Sequence, residues 1–239
     1  MIRFVGLAVP AVLWTFGNAD AGTVSGRVNF QGKPAAQKTI NMASDPNCVQ
    51  ANALPVYAEQ EVVNPNGTLK NVFVYVKNGL EGRTFPAPSQ PVTIDQVGCR
   101  YIPHVLGVMV NQPFRMRDGD PTVHNVHAMA ENNPPFNIAM TGKGRTETRK
   151  FEKPEIMVKL KCDVHPWMTA WVGVVTSPFY GVTDDQGVFS FKNLPAGNYT
   201  IEAWHEQFGT QEREITVSGE TPVNVEFTFK SAGETPQGR

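Results

Sequence analysis

The chain has 239 residues, and its formal net charge of −1 with only 18% charged residues excludes the basic footprint that nucleic-acid binding requires. Gly 21 and Pro 19 beside a 41% hydrophobic share indicate an all-β chain rich in turns rather than a helical or disordered one. Arg3, the apolar run from Phe4 to Phe16 and the small-x-small sequence Ala19-Asp20-Ala21 predict a secretory signal peptide over residues 1–21. That run is too short to span a bilayer, and no later stretch approaches a membrane span. A secreted mature protein is expected, periplasmic if the source is a Gram-negative bacterium.

Strand signals follow in order. Val24, Gly26, Val28 and Phe30 alternate with polar positions before the turn Gln31-Gly32-Lys33-Pro34. Val72, Val74 and Val76 alternate with Phe73 and Tyr75, which predicts a strand that is apolar on both faces and lies inside a sheet. Val105 to Val110 reads as another apolar strand, and Phe114 and Met116 oppose Arg115 and Arg117. Asp118-Gly119-Asp120-Pro121 turns the chain into Thr122-Val123-His124-Asn125-Val126-His127-Ala128-Met129. Residues 131–150 read as irregular and polar. Ile156, Val158, Leu160 and Cys162 share one face of the next strand, with Met157, Lys159 and Lys161 on the other, so period 2 turns the Cys162 sulfur inward. Trp171 to Val175 resumes as a strand, and alternating runs over Tyr199–Ala203 and Val223–Phe229 follow two turns. No capped amphipathic helix is legible, and the last residues, 231–239, read as a flexible tail.

Three cysteines in an exported chain leave one over after pairing. Cys48 and Cys99 lie in turn-rich contexts, whereas Cys162 ends a strand beside a histidine. The expected disulfide is Cys48–Cys99, with the other two pairings open.

The segment Cys162-Asp163-Val164-His165-Pro166-Trp167-Met168 sets a thiol, an imidazole and a thioether on one short loop. With one more histidine, those donors make the trigonal His₂Cys set with a weak axial sulfur that suits a mononuclear copper ion. His124 shares its face with Val126 and Ala128, while His127 sides with Asn125 and Met129, so His124 is the better fourth donor. The metal set is therefore His124, Cys162, His165 and Met168, with one copper ion per chain. Structural zinc is poorly served by a thioether, and covalent haem lacks its second cysteine. The spare histidines His104, His127 and His205 are first read as packing or surface residues, with an extra metal site as the alternative.

That loop, followed by a strand, resembles the cupredoxin family in its amicyanin-like spacing, and His124-Asn125 is similar to the first ligand of plastocyanin-like members. The resemblance covers roughly residues 85–176. It implies an eight-stranded Greek-key β-sandwich and Asn125 as the residue tying the two ligand segments together. It also implies an exposed edge of the loop histidine inside an apolar docking patch. A redox partner protein would then dock near His165, Pro166 and Trp167, with Pro134, Pro135 and Phe136 extending the patch.

The run from Val182 to Tyr199, with its Asp185-Gln186-Gly187 and Pro195-Ala196-Gly197 turns, resembles the carboxypeptidase regulatory-like, transthyretin-like β-sandwich. Gly22 to Val28 is similar to the opening strand of that family. The organisation expected is a discontinuous sandwich from residues 22–84 and 177–230, with the copper unit between its two parts. No serine-histidine-acid set or helical zinc motif accompanies it, so no enzymatic activity is expected. Electron transfer through a type 1 copper centre is the leading expectation. The alternatives are a copper carrier or storage protein and an extracellular binding module without redox turnover.

Overall fold

The computed structural model of the chain describes residues 21–219 and 221–231. Residues 1–20 of the signal peptide expected over 1–21 and residues 232–239 of the tail expected over 231–239 lie outside the described residues. The first part of the chain forms β1 (Ala21–Gln31), one short helix α1 (Pro46–Gln50) and β2 (Phe73–Asn78). The middle supplies β3 (Val92–Gln96), β4 (Tyr101–Ile102), β5 (Val105–Met109), β6 (Phe114–Asp118), β7 (His124–Met129), β8 (Phe136–Met140), β9 (Thr146–Arg149), β10 (Glu155–Lys161) and β11 (Thr169–Val175). The last part adds β12 (Tyr180–Val182), β13 (Val188–Pro195), β14 (Gly197–His205), β15 (Gly209–Val217) and β16 (Val223–Lys230).

These strands form four sheets, so the all-β class read from composition holds. One sheet runs β13-β1-β16, with β1 antiparallel to β13 and parallel to β16. A second runs β12-β2-β14-β15. The inward residues of these two, including Val24, Val28, Val74, Ile201 and Phe227, close one core. The middle of the chain forms a five-stranded sheet, β5-β11-β10-β7-β8, and a four-stranded one, β4-β3-β6-β9. Ile94, Phe114 and Met116 from the smaller sheet meet Val126, Leu160 and Val172 from the larger in a second core.

A third, smaller cluster joins the two sandwiches. β2 lies inside its sheet, so Val74 and Val76 face the first core while Phe73 and Tyr75 face Val105, Met109 and Val175 of the five-stranded sheet. Close approach here depends on two facing glycines, Gly107 on β5 and Gly173 on β11. A Cβ at Gly173 would sit 2.4 Å from the Phe73 ring, and one at Gly107 would sit 2.3 Å from the Tyr180 ring. A polar link stands beside this cluster. The buried His104 pairs through Nε2 with the Glu206 carboxylate, whose other oxygen accepts from Trp171 Nε1 at 3.0 Å.

Several local expectations need correction. The stretch read as irregular contains β8 and β9, and β8 forms a hairpin with β7 in which Phe136 faces Ala128. β10 carries a bulge, with Met157 at φ 67 and a register shift between Glu155 and Val158. The bulge leaves Ile156 exposed and buries Met157 on the opposite face, in the cluster between the sandwiches, while Val158, Leu160 and Cys162 keep the inward phase. One capped helix exists after all: the Asp45 side chain accepts from Asn47 N at 2.8 Å, and Pro46 opens α1. Finally, not all of residues 22–84 stay with the outer sandwich: β1 and β2 do, and the stretch around Met42 and Cys48 does not. Met42 and Cys48 enter the core of the middle sheets, with Ile40 and Val56 packed against it. Ile40 N donates to Val56 O at 2.8 Å and Ala58 N to Lys38 O at 2.9 Å, which closes residues 38–58 into a strap over one end of that core.

Candidate metal centre

Two elements present the donors. His124 is the first residue of β7, and its face with Val126 and Ala128 is wholly buried. β10 runs antiparallel to β7, with Leu160 opposite Ala128, and Cys162 follows directly at its end. The loop after Cys162 is closed by two backbone bonds, Cys162 N to Met168 O at 3.1 Å and Met168 N to His165 O at 2.9 Å. His165 N also points at the Cys162 sulfur, at 3.4 Å.

The result is convergence. Nδ1 of His124 lies 2.9 Å from Nδ1 of His165, and that nitrogen lies 3.8 Å from Cys162 Sγ. The three ligand atoms all fall within 4.8 Å of one another, and all three residues are buried. Met168 is buried at the end of the same loop. Cys162 is the free cysteine, because Cys48 and Cys99 form a disulfide.

Each histidine has a carboxylate on its far nitrogen. Nε2 of His124 lies 3.0 Å from Asp120 Oδ2, and Nε2 of His165 lies 3.1 Å from Asp45 Oδ2. Asp120 is itself fixed by the backbone N–H groups of Gly98 and Cys99, both at 2.8 Å. Asp45 accepts from Thr122 Oγ1 at 2.7 Å. A carboxylate behind each imidazole sets its tautomer and raises its basicity toward a metal on the other nitrogen. Neither aspartate stands out in the sequence, where both look like turn formers; the Asp45-Pro46 cap is the nearest available signal.

The charges are mutually supporting. Burial disfavours a cation at His124, but the Asp120 carboxylate and the Cys162 sulfur outweigh it and raise its pKa to about 9. Burial also opposes a thiolate at Cys162, yet donors from His124 and from the Asn125, His165 and Val164 backbone hold its pKa below the ordinary thiol value. Asp45 falls to about 2, chiefly because of Thr122, with Asn47 N–H and His165 adding to it against a burial cost.

This donor set fits a metal. Two imidazole nitrogens 2.9 Å apart repel as lone pairs unless a proton or a cation lies between them. One cysteine sulfur beside two imidazoles, with a thioether on the same loop, is a set for copper rather than for a hard cation.

Asn125 ties the two ligand segments. Its Oδ1 accepts from Asp163 N at 2.7 Å and from the Cys162 thiol at 3.3 Å, and its Nδ2 donates to Asn137 Oδ1 at 2.7 Å and to Asp163 Oδ2 at 3.0 Å. The spare histidines go elsewhere. His127 pairs at the surface with Asp163 at 3.1 Å, and His104 is held by Glu206. His205 stacks on Phe208 with ring centroids 4.6 Å apart, and burial lowers its pKa to about 4. Among the described residues, none of the three joins a group of three or more metal donors.

The exposed histidine edge implied by the family resemblance is absent. The His165 ring is 2% exposed. Asp45 and the disulfide cover its Nε2, with Cys48 Sγ 3.6 Å away, and Trp167 packs beside it with ring centroids 5.1 Å apart. The strap, which sequence reasoning assigns to the outer sandwich, is the cause. Trp167 is pinned through Nε1 to Cys99 O at 3.1 Å, so Pro166 and Val164 are the loop's exposed apolar positions.

Residues 170–230 match the carboxypeptidase regulatory-like domain family. A search of curated proteins finds no match to the sequence. Among solved structures, the chain is similar to a copper-containing nitrite reductase from Thermus scotoductus SA-01, at 24% identity and a TM-score of 0.35, covering 40% of this chain and 24% of that one. It is also similar to a purple cupredoxin from Nitrosopumilus maritimus, at 24% identity and a TM-score of 0.30, covering 34% of this chain and 97% of that one. A point mutant of amicyanin in its oxidized state is similar at 22% identity and a TM-score of 0.32, covering 35% of this chain and 81% of that one. The chain thus spans about a quarter of the nitrite reductase.

Proposed function

We propose that this chain is an exported electron carrier that binds one copper ion through His124, Cys162 and His165, with Met168 as the axial donor. The observation that carries the reading is the buried convergence of the two Nδ1 atoms and the single free thiol. Bound copper would supply a one-electron couple at a thiolate-imidazole site. The chain's own part is to hold the donors still. Asn125 fixes the loop to β7, Asp120 and Asp45 fix the two rings, and the strap keeps water off His165. No helix among the described residues is long and apolar enough to cross a membrane. The docking partner is a redox protein that meets the loop at Val164 and Pro166 rather than at the ring of His165. No catalytic turnover is proposed.

Adding Cu(II) to the purified protein should produce an intense visible band that a reductant bleaches reversibly. Cys162→Ser should abolish it. A wild-type protein whose spectrum matches that of Cys162→Ser would overturn the reading. A copper-delivery role is the competing reading, but burial of all three donors behind a stapled strap opposes the rapid exchange that delivery needs.

A further inference from the structure

A second donor group lies behind the first. The ligand atoms of Cys48, Cys99 and His165 fall within 4.8 Å of one another, and all three residues are buried. The histidine nitrogen involved is Nε2, 3.6 Å from Cys48 Sγ and on the opposite side of the ring from the candidate copper centre. Two cysteine sulfurs and an imidazole nitrogen form a soft, three-donor set of the kind that suits monovalent copper. In the disulfide state the sulfurs are joined to each other.

We propose that the Cys48–Cys99 disulfide is the closed form of a redox-gated Cu(I) site, opened by a dithiol and completed by Nε2 of His165. The dithiol gives up two electrons and two protons and becomes a disulfide. The Cys48–Cys99 bond breaks, and each sulfur takes one electron and one proton. Binding of Cu(I) then releases the two thiol protons to solvent. When both centres fill, the ring N–H proton of His165 also leaves, and the imidazole presents one nitrogen to each ion.

Three features of the fold keep the site assembled after reduction. Asn52 Nδ2 donates both to Cys48 O at 2.9 Å and to Gly98 O at 3.0 Å, so the two cysteine segments remain clamped without the covalent bond. Thr122 holds Asp45, which lies against the same Nε2. Met42 and Cys48 stay in the core of the middle sheets. An access route also exists. Met42, Cys48, Val49 and Val56 line an open groove of about 500 Å³, and the Met42 thioether is a further soft donor on the way in. The proposal rests on the copper reading only in sharing the His165 ring.

The test counts Cu(I) by competition with bicinchoninate under anaerobic conditions. It compares the disulfide form with protein reduced by a phosphine and then desalted. The expected result is one more Cu(I) per chain in the reduced form, with near-UV circular dichroism retained. The increment should persist in Cys162→Ser, where the first centre is disabled, and should vanish when Cys48 and Cys99 are both alanine. Failure of the first centre alone would lower both counts equally and leave the increment, which supports the second site. No increment, or an increment seen only with loss of the near-UV signal, overturns the proposal.

Discussion

Replacing Asn125 with alanine tests the claim that one amide joins the two halves of the candidate centre. The side chain makes two donor bonds, to Asn137 Oδ1 and Asp163 Oδ2, and accepts from Asp163 N and from the Cys162 thiol. Neutral bonds contribute about 1 kcal/mol each and the one to a carboxylate about twice that, with the thiol bond at the weak end. The sum is about 4 kcal/mol, but the Asp163 side chain is 40% exposed, so water replaces part of it. A loss of about 2–3 kcal/mol is expected for Asn125→Ala, read by denaturant unfolding of the metal-free protein with an unchanged m value. A loss below about 1 kcal/mol would refute the tethering role. A changed m value would instead show that the substitution altered the compactness of one of the two states.

Gly173→Ala should destabilise by about 1–3 kcal/mol, read as a lower calorimetric Tm, because its Cβ meets the Phe73 ring and the sheets must separate; an unchanged Tm would show that the joint has slack. The His104–Glu206 pair predicts a pH window. Burial opposes the charged form of His104, but Glu206 raises its pKa above 6.5, so its contribution is complete below that value and fades as pH rises through the raised one. Glu206 is also opposed by burial, yet His104 and Trp171 lower its pKa below 4.5, so its contribution fades only as pH falls through the lowered value. The coupling in a His104→Gln, Glu206→Gln double-mutant cycle should therefore peak between 4.5 and 6.5 and shrink toward alkaline pH, with the nearby Glu59 and the buried, neutral His205 common to all four proteins. A flat coupling would refute the ion pair. Asp45→Asn should raise the reduction potential of the copper-loaded protein by about 50–100 mV, since a carboxylate 3.1 Å from the far nitrogen of His165 would stabilise the oxidised state of a bound ion by up to about 2 kcal/mol at an effective dielectric of about 20. An unchanged or lower potential in voltammetry would mean that Asp45 does not act through His165.

What the sequence discloses follows from local period and spacing. The donors on the short loop sit close in the chain, and His124 is told from His127 by which neighbours share its face, Val126 and Ala128 against Met129. Cys162 keeps its inward phase because the bulge at Met157 adds its irregularity upstream and leaves Val158, Leu160 and Cys162 in step. β8 escapes a sequence reading although Phe136, Ile138 and Met140 alternate, because Asn132-Asn133-Pro134-Pro135 before it reads as loop and the strand spans only Phe136–Met140. The strap is illegible for a deeper reason. Residues 38–58 have no sheet period beyond single bridges, and their place is set by contacts far away in the chain, such as the disulfide at a separation of 51 residues. Asp45 and Asp120 act as imidazole partners only because folding brings them to His165 and His124.

The strap changes what the centre can do. The ligand loop is held on three sides: Asn125 grips Asp163, the Cys99 carbonyl grips Trp167, and Asp45 with the disulfide presses on His165. A loop fixed this way resists moving when the charge at its centre changes, and His165, 2% exposed, has little contact with water. In the proposed carrier, both effects would lower the rearrangement that accompanies a one-electron change, which favours fast exchange. The same closure removes the histidine edge as the route for that exchange. On the proposed electron-carrier reading, the electron would leave along the Cys162 side, where Asp163 and Val164 are exposed, or across Pro166. Rigidity and access are thus traded against each other in one segment, and Cys48 at the centre of that segment is also the residue through which a thiol reagent would alter both.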